Sequence, residues 1–321
     1  MYRPVRQRRS TMKQARRRKA MFVLWGCVAA LALCAAGALY LLLRTPAPQD
    51  VQIPGTRGSI PATVQMPGKL ARGGEVPLAV LCHGFTGSRV GDGHFEPLAA
   101  QLAEQGIATV RLDFAGCGDS TEPYTEYTLA NMAADVDSAI AWMQEEYGVT
   151  GPVGLVGHSM GGRLASLYPQ LGTQPVAALA LWSPANGTGL QGLEFLNIED
   201  FSQVEALAAE AEANGKAGTK WGVEISASFV QQMRDSDPNA ALRACGLPVL
   251  LAYSGQDSVL SEGTMAETIA TVESLPGCEV ETEPFAAGDH NYNSADAATD
   301  AQLDADLCRI TAEFLTKQLK T

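Results

Sequence analysis

The strongest constraint on the fold of this 321-residue chain is an alternation of short apolar runs with helix-like segments. Runs rich in Val, Leu and Ala recur between residues 76 and 185, and the segments between them carry apolar residues at helical spacing. Strands that are continuously apolar must be covered on both faces, which is typical of a mostly parallel, doubly wound α/β sheet. Two earlier runs, 51–54 and 60–68, are punctuated by Gly and Pro and predict an antiparallel hairpin at the edge of that sheet.

The alternation is interrupted once and then resumes. Residues 186–245 have no strand-like apolar run and predict loop and helices, which we expect to form an inserted helical lid over the strand ends. Two more strand-like runs and two helices follow and complete the sheet. The sequence therefore predicts one α/β domain over residues 53–321, with the lid at about 186–245.

The N-terminal region differs sharply in charge from the rest. Residues 1–20 carry nine Lys or Arg, no acidic residue precedes Asp50, and residues 21–43 form an uncharged apolar run. As a helix, such a run spans roughly the 30 Å hydrocarbon core of a bilayer. We predict a basic cytoplasmic segment (1–20), a transmembrane signal anchor (21–43) and a linker (44–52). The positive-inside bias then places the domain on the extracytoplasmic side of the cell membrane.

Two other interpretations of the N-terminal run remain open. A cleaved signal peptide is disfavoured because the run exceeds the usual core of roughly 7–15 residues and ends without a clear small-residue cleavage site. A lipoprotein site at Cys27 or Cys34 is weaker, because bulky Trp25 or Leu33 occupies the preceding positions, where small residues are expected.

The charge of the remaining chain argues against several classes of partner. From Thr45 onward, 13 Lys and Arg stand against 35 acidic residues, a formal net charge of −22. A domain this acidic is not expected to bind nucleic acid. The histidines are scattered, no Cys/His pair has metal-ligand spacing, and no glycine-rich phosphate loop occurs, so we predict neither a metal nor a cofactor.

The segment "GHSMG" at 157–161 joins a β-favouring run to a helix-compatible segment. This is the G-x-S-x-G pattern in a strand–turn–helix context, which holds a serine in a strained turn while the glycines let strand and helix approach. Ser159 is therefore the candidate nucleophile. A purely structural turn is the alternative, because the pattern alone also occurs by chance.

A serine nucleophile needs a base and a group that orients the base. Of the four histidines, His290 follows the last strand-like run, at the sheet edge where catalytic loops gather, and is the predicted base. Asp257 closes the preceding strand and is the predicted orienting acid. Asp289 competes, but the side chains of adjacent residues usually point apart, which disfavours it.

The chain order serine, aspartate, histidine resembles that of the α/β-hydrolase superfamily. The segments "HGFTGS", "DFAGCGDS", "GHSMGG", "GQDSV" and "DHNY", which lie between residues 76 and 292, are similar to the motifs of serine esterases and lipases in that superfamily. Among these, the feruloyl (cinnamoyl) esterase-like group is similar in its HGF-type loop, its GHS elbow and its inserted lid.

The resemblance implies roles for further residues. The N–H groups of Phe85 and Met160 are expected to form an oxyanion hole. Independently of the resemblance, the apolar lid residues Phe195, Phe201 and Trp221 are expected, with His83, to contact substrate; the alternative is that apolar residues at helical spacing pack the lid onto the sheet.

These features together predict a membrane-anchored serine hydrolase that cleaves small esters with short or aromatic acyl groups through an acyl-enzyme. A monoacylglycerol lipase-like or proline-iminopeptidase-like hydrolase is the alternative among enzymes, because the same triad serves those reactions. A non-catalytic surface-binding protein on a hydrolase scaffold is the alternative from another class. The intact set of three candidate residues disfavours it.

Overall fold

The structure is a computed structural model. The described residues are 18, 21, 22, 25, 26, 28, 31–37, 44–68 and 75–320. The larger compact unit consists of residues 45–67 and 71–321, and the smaller one consists of residues 1–44 and 68–70. The strands and helices named below all lie in the larger unit.

The predicted transmembrane segment, 21–43, lies largely outside the described residues. Those of its residues that are described, including 31–37, are helical. No helix in the described part of the chain is both long and apolar enough to cross a bilayer. The anchor therefore stays a prediction.

Ten strands and eight helices are described in the larger unit. The strands are β1 (Gln49–Pro54), β2 (Ser59–Gln65), β3 (Leu78–Cys82), β4 (Ala108–Leu112), β5 (Val153–His158), β6 (Ala178–Trp182), β7 (Lys216–Gly218), β8 (Glu224–Ser226), β9 (Val249–Ser254) and β10 (Val280–Phe285). The helices are α1 (Phe95–Glu104), α2 (Leu129–Tyr147), α3 (Met160–Leu171), α4 (Phe201–Asn214), α5 (Ala227–Asp235), α6 (Pro238–Cys245), α7 (Glu262–Glu273) and α8 (Ala297–Leu319).

Eight of these strands form one sheet in the order β1-β2-β4-β3-β5-β6-β9-β10. Six strands of this sheet run parallel, namely β3, β4, β5, β6, β9 and β10. At one edge, β1 and β2 form an antiparallel hairpin, and β2 pairs antiparallel with β4. The predicted mostly parallel sheet with an edge hairpin is confirmed. The predicted linker, 44–52, is too long, because β1 begins at Gln49. Its pairing with β2 begins at Gln49, opposite Val64, and the carboxylate of the next residue, Asp50, accepts a hydrogen bond from Thr63 on the facing strand.

Helices cover both faces of the sheet, as the continuously apolar strands require. Along β3, Leu78 and Val80 pack into the layer that contains α2, α3 and α7. Ala79 and Leu81 pack into the opposite layer, against α1 and α8. Successive side chains of a strand point to opposite faces, so a fully buried strand must be apolar at every position.

The insertion between β6 and β9 differs in two ways from the predicted lid of loop and helices. It contains a two-stranded antiparallel hairpin, β7–β8, after a 3-10 turn (Gly189–Leu196) and helix α4. Its last helix, α6, packs against α3 and contributes Ala241 and Leu242 to the core of the domain. The lid therefore ends before α6 rather than at residue 245.

A single buried arginine ties the two ends of the lid to the main domain. Arg163 on α3 donates through Nη1 to the carbonyl oxygens of Ala185 (2.8 Å) and Gly187 (2.7 Å), where the lid begins. Through Nη2 it donates to Met233 and Ser236, where the lid ends. Burial lowers the pKa of Arg163 to about 9. Its hydrogen bonds fix the lid above the turn that precedes α3.

Candidate active site

Ser159 lies in the turn between β5 and α3 in a backbone conformation that few L-residues adopt. Its φ is 54° and its ψ is −114°. Its N–H donates to the carbonyl oxygen of Trp182 on the neighbouring strand (2.9 Å), and its own carbonyl accepts from the N–H groups of Arg163 and Ala185 (both 3.0 Å). The turn is thus held from both sides, which maintains the strained conformation and presents the hydroxyl at the end of the sheet.

The two glycines of the turn are required by close packing. A Cβ at Gly157 would overlap the carbonyl oxygen of Gly161, and a Cβ at Gly161 would overlap that of Cys82 on β3. Strand and helix therefore approach each other more closely than any side chain allows. This is the role that the sequence pattern predicts for both positions.

The structure brings Ser159, His290 and Asp257 into one hydrogen-bonded chain. The Oγ of Ser159 lies 2.9 Å from Nε2 of His290, and Nδ1 of His290 lies 2.7 Å from Oδ2 of Asp257. All three side chains are almost fully buried. With Nδ1–H donating to the carboxylate, Nε2 is free to accept the serine proton.

Asp257, rather than Asp289, faces the histidine. Its Oδ1 accepts from the backbone N–H groups of Val259 and Leu260, both at 2.9 Å. Burial acts to raise the pKa of Asp257, but the hydrogen bonds from His290 and from these N–H groups outweigh it, and the pKa falls below its ordinary value. The carboxylate of Asp289 instead accepts from two N–H groups of its own loop.

Two further histidines hold the loop that carries His290. Nε2–H of His158 donates to the carbonyl oxygen of His290 (2.9 Å). Nε2–H of His94 donates to the carbonyl oxygen of Asn291 (2.8 Å), while its Nδ1 lies 2.7 Å from Asp304 on α8. Neither contact is predicted from the sequence, because the partners lie more than 130 residues away along the chain.

The loop after β3 presents the first of the two predicted oxyanion donors. Among the described residues, the N–H groups of Phe85 and Met160 have no hydrogen-bond acceptor. Phe85 lines the cavity in front of Ser159, whereas Met160 is fully buried and does not line it. Next to Phe85, the N–H of Thr86 donates to the hydroxyl of Tyr124 (3.1 Å). This hydrogen bond holds the loop after β3 in place.

Contrary to the prediction, His83 does not line the cavity in front of Ser159. Both of its ring nitrogens form hydrogen bonds with backbone groups instead. Nδ1–H donates to the carbonyl oxygen of Gly84 (2.7 Å), and Nε2 accepts from the N–H of Phe114 (3.1 Å). Burial lowers the pKa of His83 to about 4, so the ring is neutral near pH 7. His83 therefore connects the loop after β3 to the loop after β4.

A cavity of about 150 Å³ opens in front of the serine. Its lining residues are Gly84, Phe85, Thr86, Gly87, Asp92, His158, Ser159, Phe195, Trp221, Val259, His290 and Asn291. Of the residues predicted to contact substrate, Phe195 and Trp221 line it. Phe201 does not, because it begins helix α4 and packs half-buried against the core.

Aromatic side chains make one wall of the cavity. The ring of Phe85 lies 5.0 Å from that of Phe195 and 6.5 Å from that of Trp221, measured between centroids. Within the part of the chain that the structure describes, no group of three or more His, Cys, Asp or Glu side chains is arranged to hold a metal ion. The site thus combines a serine, a histidine, a carboxylate and two free N–H groups beside an aromatic wall.

Comparison with known families agrees with this geometry. Residues 77–231 match the family described as having the alpha/beta hydrolase fold. A protein of Escherichia coli, the uncharacterized 31.7 kDa protein of the traX-finO intergenic region, is 33% identical over 214 residues, covering 57% of this chain and 73% of that protein. The chain belongs to the α/β-hydrolase superfamily.

Two further relatives have names that refer to esters or to their acids. Protein phosphatase methylesterase 1 of Schizosaccharomyces pombe is 26% identical over 153 residues, covering 46% of this chain and 44% of that protein. Among solved structures, Est1E from Butyrivibrio proteoclasticus with bound ferulic acid superposes with a TM-score of 0.61 at 19% identity. That match covers 83% of this chain and 99% of Est1E. At this identity the likeness establishes the shared fold.

Proposed function

We propose that the protein is a serine hydrolase that cleaves small carboxylic esters through an acyl-enzyme. The observation that carries the proposal is the chain of hydrogen bonds from Ser159 through His290 to Asp257 at the floor of an open cavity. A serine hydroxyl is a weak nucleophile unless a base removes its proton, and this arrangement supplies that base already oriented.

In the first half of the reaction, Oγ of Ser159 attacks the ester carbonyl carbon while its proton passes to Nε2 of His290. The N–H groups of Phe85 and Met160 donate to the oxyanion that develops on the carbonyl oxygen. When the intermediate collapses, the C–O bond to the alcohol breaks, and His290 gives its proton to the departing oxygen. Asp257 stabilises the imidazolium that exists between these two transfers.

In the second half, water replaces the alcohol. His290 takes a proton from that water as its oxygen attacks the acyl carbon, and the same two N–H groups stabilise the second oxyanion. Collapse then breaks the bond to Oγ of Ser159, which recovers a proton from His290. The products are one carboxylic acid and one alcohol, and the enzyme is regenerated.

The size and lining of the cavity favour short or aromatic acyl groups. Its volume of about 150 Å³ is below the roughly 300–1,000 Å³ of sites for drug-sized ligands and similar to an engineered cavity that holds benzene. The aromatic wall of Phe85, Phe195 and Trp221 offers apolar contact and edge or face packing to a planar acid. The ferulic acid bound in Est1E is a ligand of this kind.

The test is a panel of esters with one alcohol and different acyl groups. We expect kcat/KM to be higher for acetyl, butyryl or feruloyl esters than for palmitoyl, and the activity to fall by several orders of magnitude in Ser159→Ala. A clear optimum at palmitoyl indicates a lipase instead, and activity confined to amino-acid amides indicates a peptidase. Activity that survives in Ser159→Ala refutes the serine mechanism.

We further propose that residues 21–43 anchor the enzyme in the cell membrane, with residues 1–20 in the cytoplasm and the catalytic domain outside. The support is the uncharged apolar run of 23 residues beside nine basic residues. In this arrangement the enzyme acts on substrates outside the cell.

A further inference from the structure

The loop before α1 holds an acidic side chain at the active-site cavity in a constrained conformation. Gly91, Asp92 and Gly93 all have positive φ, at 57°, 54° and 102°. A Cβ at Gly91 would overlap the ring of Phe95, so the loop packs closely against the start of the helix. Asp92 therefore adopts a left-handed conformation that costs free energy for a residue with a side chain, and its carboxylate lines the cavity.

This carboxylate faces another hydrogen-bond acceptor. Oδ2 of Asp92 lies 3.7 Å from Nδ1 of His158. Burial lowers the pKa of His158 to about 3, so the ring carries one proton near pH 7. That proton is on Nε2, which donates to the carbonyl oxygen of His290, so Nδ1 has only a lone pair. Two acceptors cannot hydrogen-bond to each other, so the carboxylate and Nδ1 both take their hydrogen bonds from other groups.

No such donor comes from the part of the protein that the structure describes. The carboxylate of Asp92 and the side-chain amide of Asn291 make no hydrogen bond to any described residue, although both line the cavity. Partial burial raises the pKa of the Asp92 carboxyl, although 40% of its side chain is exposed. Water therefore reaches the carboxylate, and a ligand group that donates a hydrogen bond can take the place of that water.

The position of these groups relative to His290 indicates which part of the substrate they meet. His290 must deliver its proton to the departing alcohol oxygen, so the alcohol lies against His290. The ring of His158 is 5.1 Å from that of His290, and Asn291 is the next residue in the chain. The aromatic residues Phe85, Phe195 and Trp221 form a separate wall, which leaves that wall for the acyl group.

We propose that Asp92, Nδ1 of His158 and the carboxamide of Asn291 form a subsite that binds hydroxyl groups on the alcohol part of the ester. This inference rests on the proposed ester hydrolysis and adds the class of leaving group. A hydroxyl on the alcohol donates to the carboxylate or to Nδ1, while the amide of Asn291 donates to an oxygen of the same group. The preferred substrates are then esters of diols and polyols rather than of simple alkyl alcohols.

The experiment compares two butyrate esters of equal size. In 2-hydroxyethyl butyrate a hydroxyl replaces the terminal methyl group of propyl butyrate, so the pair differs in one hydrogen-bonding group. We expect kcat/KM of the full-length protein to be about tenfold higher for the hydroxyethyl ester, the range of one hydrogen bond to a charged group. Butyrylcholine, which has a cation but no N–H or O–H donor, is expected to show no such preference.

Variants at position 92 assign the preference to the carboxylate. Asp92→Gly removes the side chain at a backbone conformation that glycine adopts freely, and Asp92→Asn removes the charge. We expect the hydroxyethyl-to-propyl ratio to fall close to one in Asp92→Gly and to an intermediate value in Asp92→Asn. Glu205→Gln, on the exposed surface of α4, removes the same charge elsewhere and should leave the ratio unchanged.

The ratio separates this inference from the proposed function. If a fraction of a variant is unfolded, its apparent kcat/KM falls by the same factor for the hydroxyethyl and the propyl ester, and the ratio of the two values does not change. Equal kcat/KM for the two esters in the wild-type protein, or a preference that persists in Asp92→Gly, overturns the subsite. A preference for butyrylcholine alone would assign Asp92 to charge recognition and would also overturn it. If the wild-type protein hydrolyses none of the three esters, the proposed function itself fails.

Discussion

All four histidines of the chain lie around Ser159, and the partners of their ring nitrogens distinguish them. His290 directs Nε2 toward the serine hydroxyl. His158 and His94 each donate to a backbone carbonyl of the loop that carries His290, and His83 donates to the carbonyl oxygen of Gly84 in the loop after β3. One histidine thus contacts Ser159, and the other three hydrogen-bond to backbone of nearby loops.

Asp257 and Asp289 are the two candidates for the orienting acid, and their contacts predict different effects of the same substitution to Asn. Asp257→Asn should lower kcat by about 10³- to 10⁴-fold, because an amide no longer stabilises the imidazolium or holds the tautomer of His290. Asp289→Asn should change kcat by less than about threefold, since the amide oxygen still accepts from the two loop N–H groups. Steady-state hydrolysis of a butyrate ester measures both. The reverse ranking would show that Asp289 orients the histidine.

The buried, neutral His83 predicts a pH dependence of stability. Its pKa is about 4 in the folded protein and about 6.5 when unfolded, so between these values the unfolded state binds more protons. Stability contributed by the neutral ring is therefore complete above pH 6.5 and is lost as the pH falls toward 4. Between pH 7.5 and pH 5.5 the loss is about 1.4 kcal/mol for this one group.

The matched variant for this prediction is His83→Asn, which does not titrate. Its free energy of unfolding should fall by about 1.4 kcal/mol less than that of the wild type over the same interval, with other titrating groups cancelling in the difference. Urea unfolding of both full-length proteins in one detergent-containing buffer measures it. Parallel pH profiles would mean that His83 is not buried as a neutral ring.

At the level of elements, the approach of β5 and α3 predicts that the elbow glycines cannot be replaced. Gly161→Ala should lower the free energy of unfolding by about 3 kcal/mol or more, because the new methyl group overlaps the backbone of β3. Gly218→Ala is the control. Its Cβ meets nothing within 4 Å, and the change should stay within about 0.5 kcal/mol. Equal urea midpoints for the two variants would contradict the packing.

The strands were predictable where burial on both faces makes every residue apolar. β3 is buried at all five positions. In the hairpin β7–β8 each strand has three residues, and only the middle one, Ala217 or Ile225, is buried. Such short strands carry no periodic signal. The lid was therefore predicted as an insertion, while its hairpin and the place of α6 in the core were not.

The candidate site was predictable to the extent that chemistry restricts residue type. The G-x-S-x-G pattern and the chain order point to Ser159, Asp257 and His290, which the structure brings together. The subsite around Asp92 has no such pattern, because it depends on the tautomer of His158 and on loops brought together by the fold. Hydrogen-bond direction is a property of the folded chain rather than of the local sequence.

For the molecule as a whole, the proposed anchor predicts how the full-length protein partitions. It should remain in the membrane fraction after a high-salt wash, because apolar burial, unlike the attraction of its basic segment to lipid, is not weakened by salt. Protease added outside intact cells or spheroplasts should digest the domain. Release of soluble protein that begins near Pro48 would instead demonstrate cleavage of a signal peptide.

The proposed mechanism depends on Ser159 being a nucleophile that His290 activates. The most direct measurement is reaction of the folded, full-length protein with a fluorophosphonate, followed by mass spectrometry of its peptides. We predict one adduct per chain, located on Ser159, absent from Ser159→Ala and formed orders of magnitude more slowly in His290→Ala. A folded protein that stays unlabelled, or that is labelled at another residue at the same rate in Ser159→Ala, would rule out Ser159 as the nucleophile.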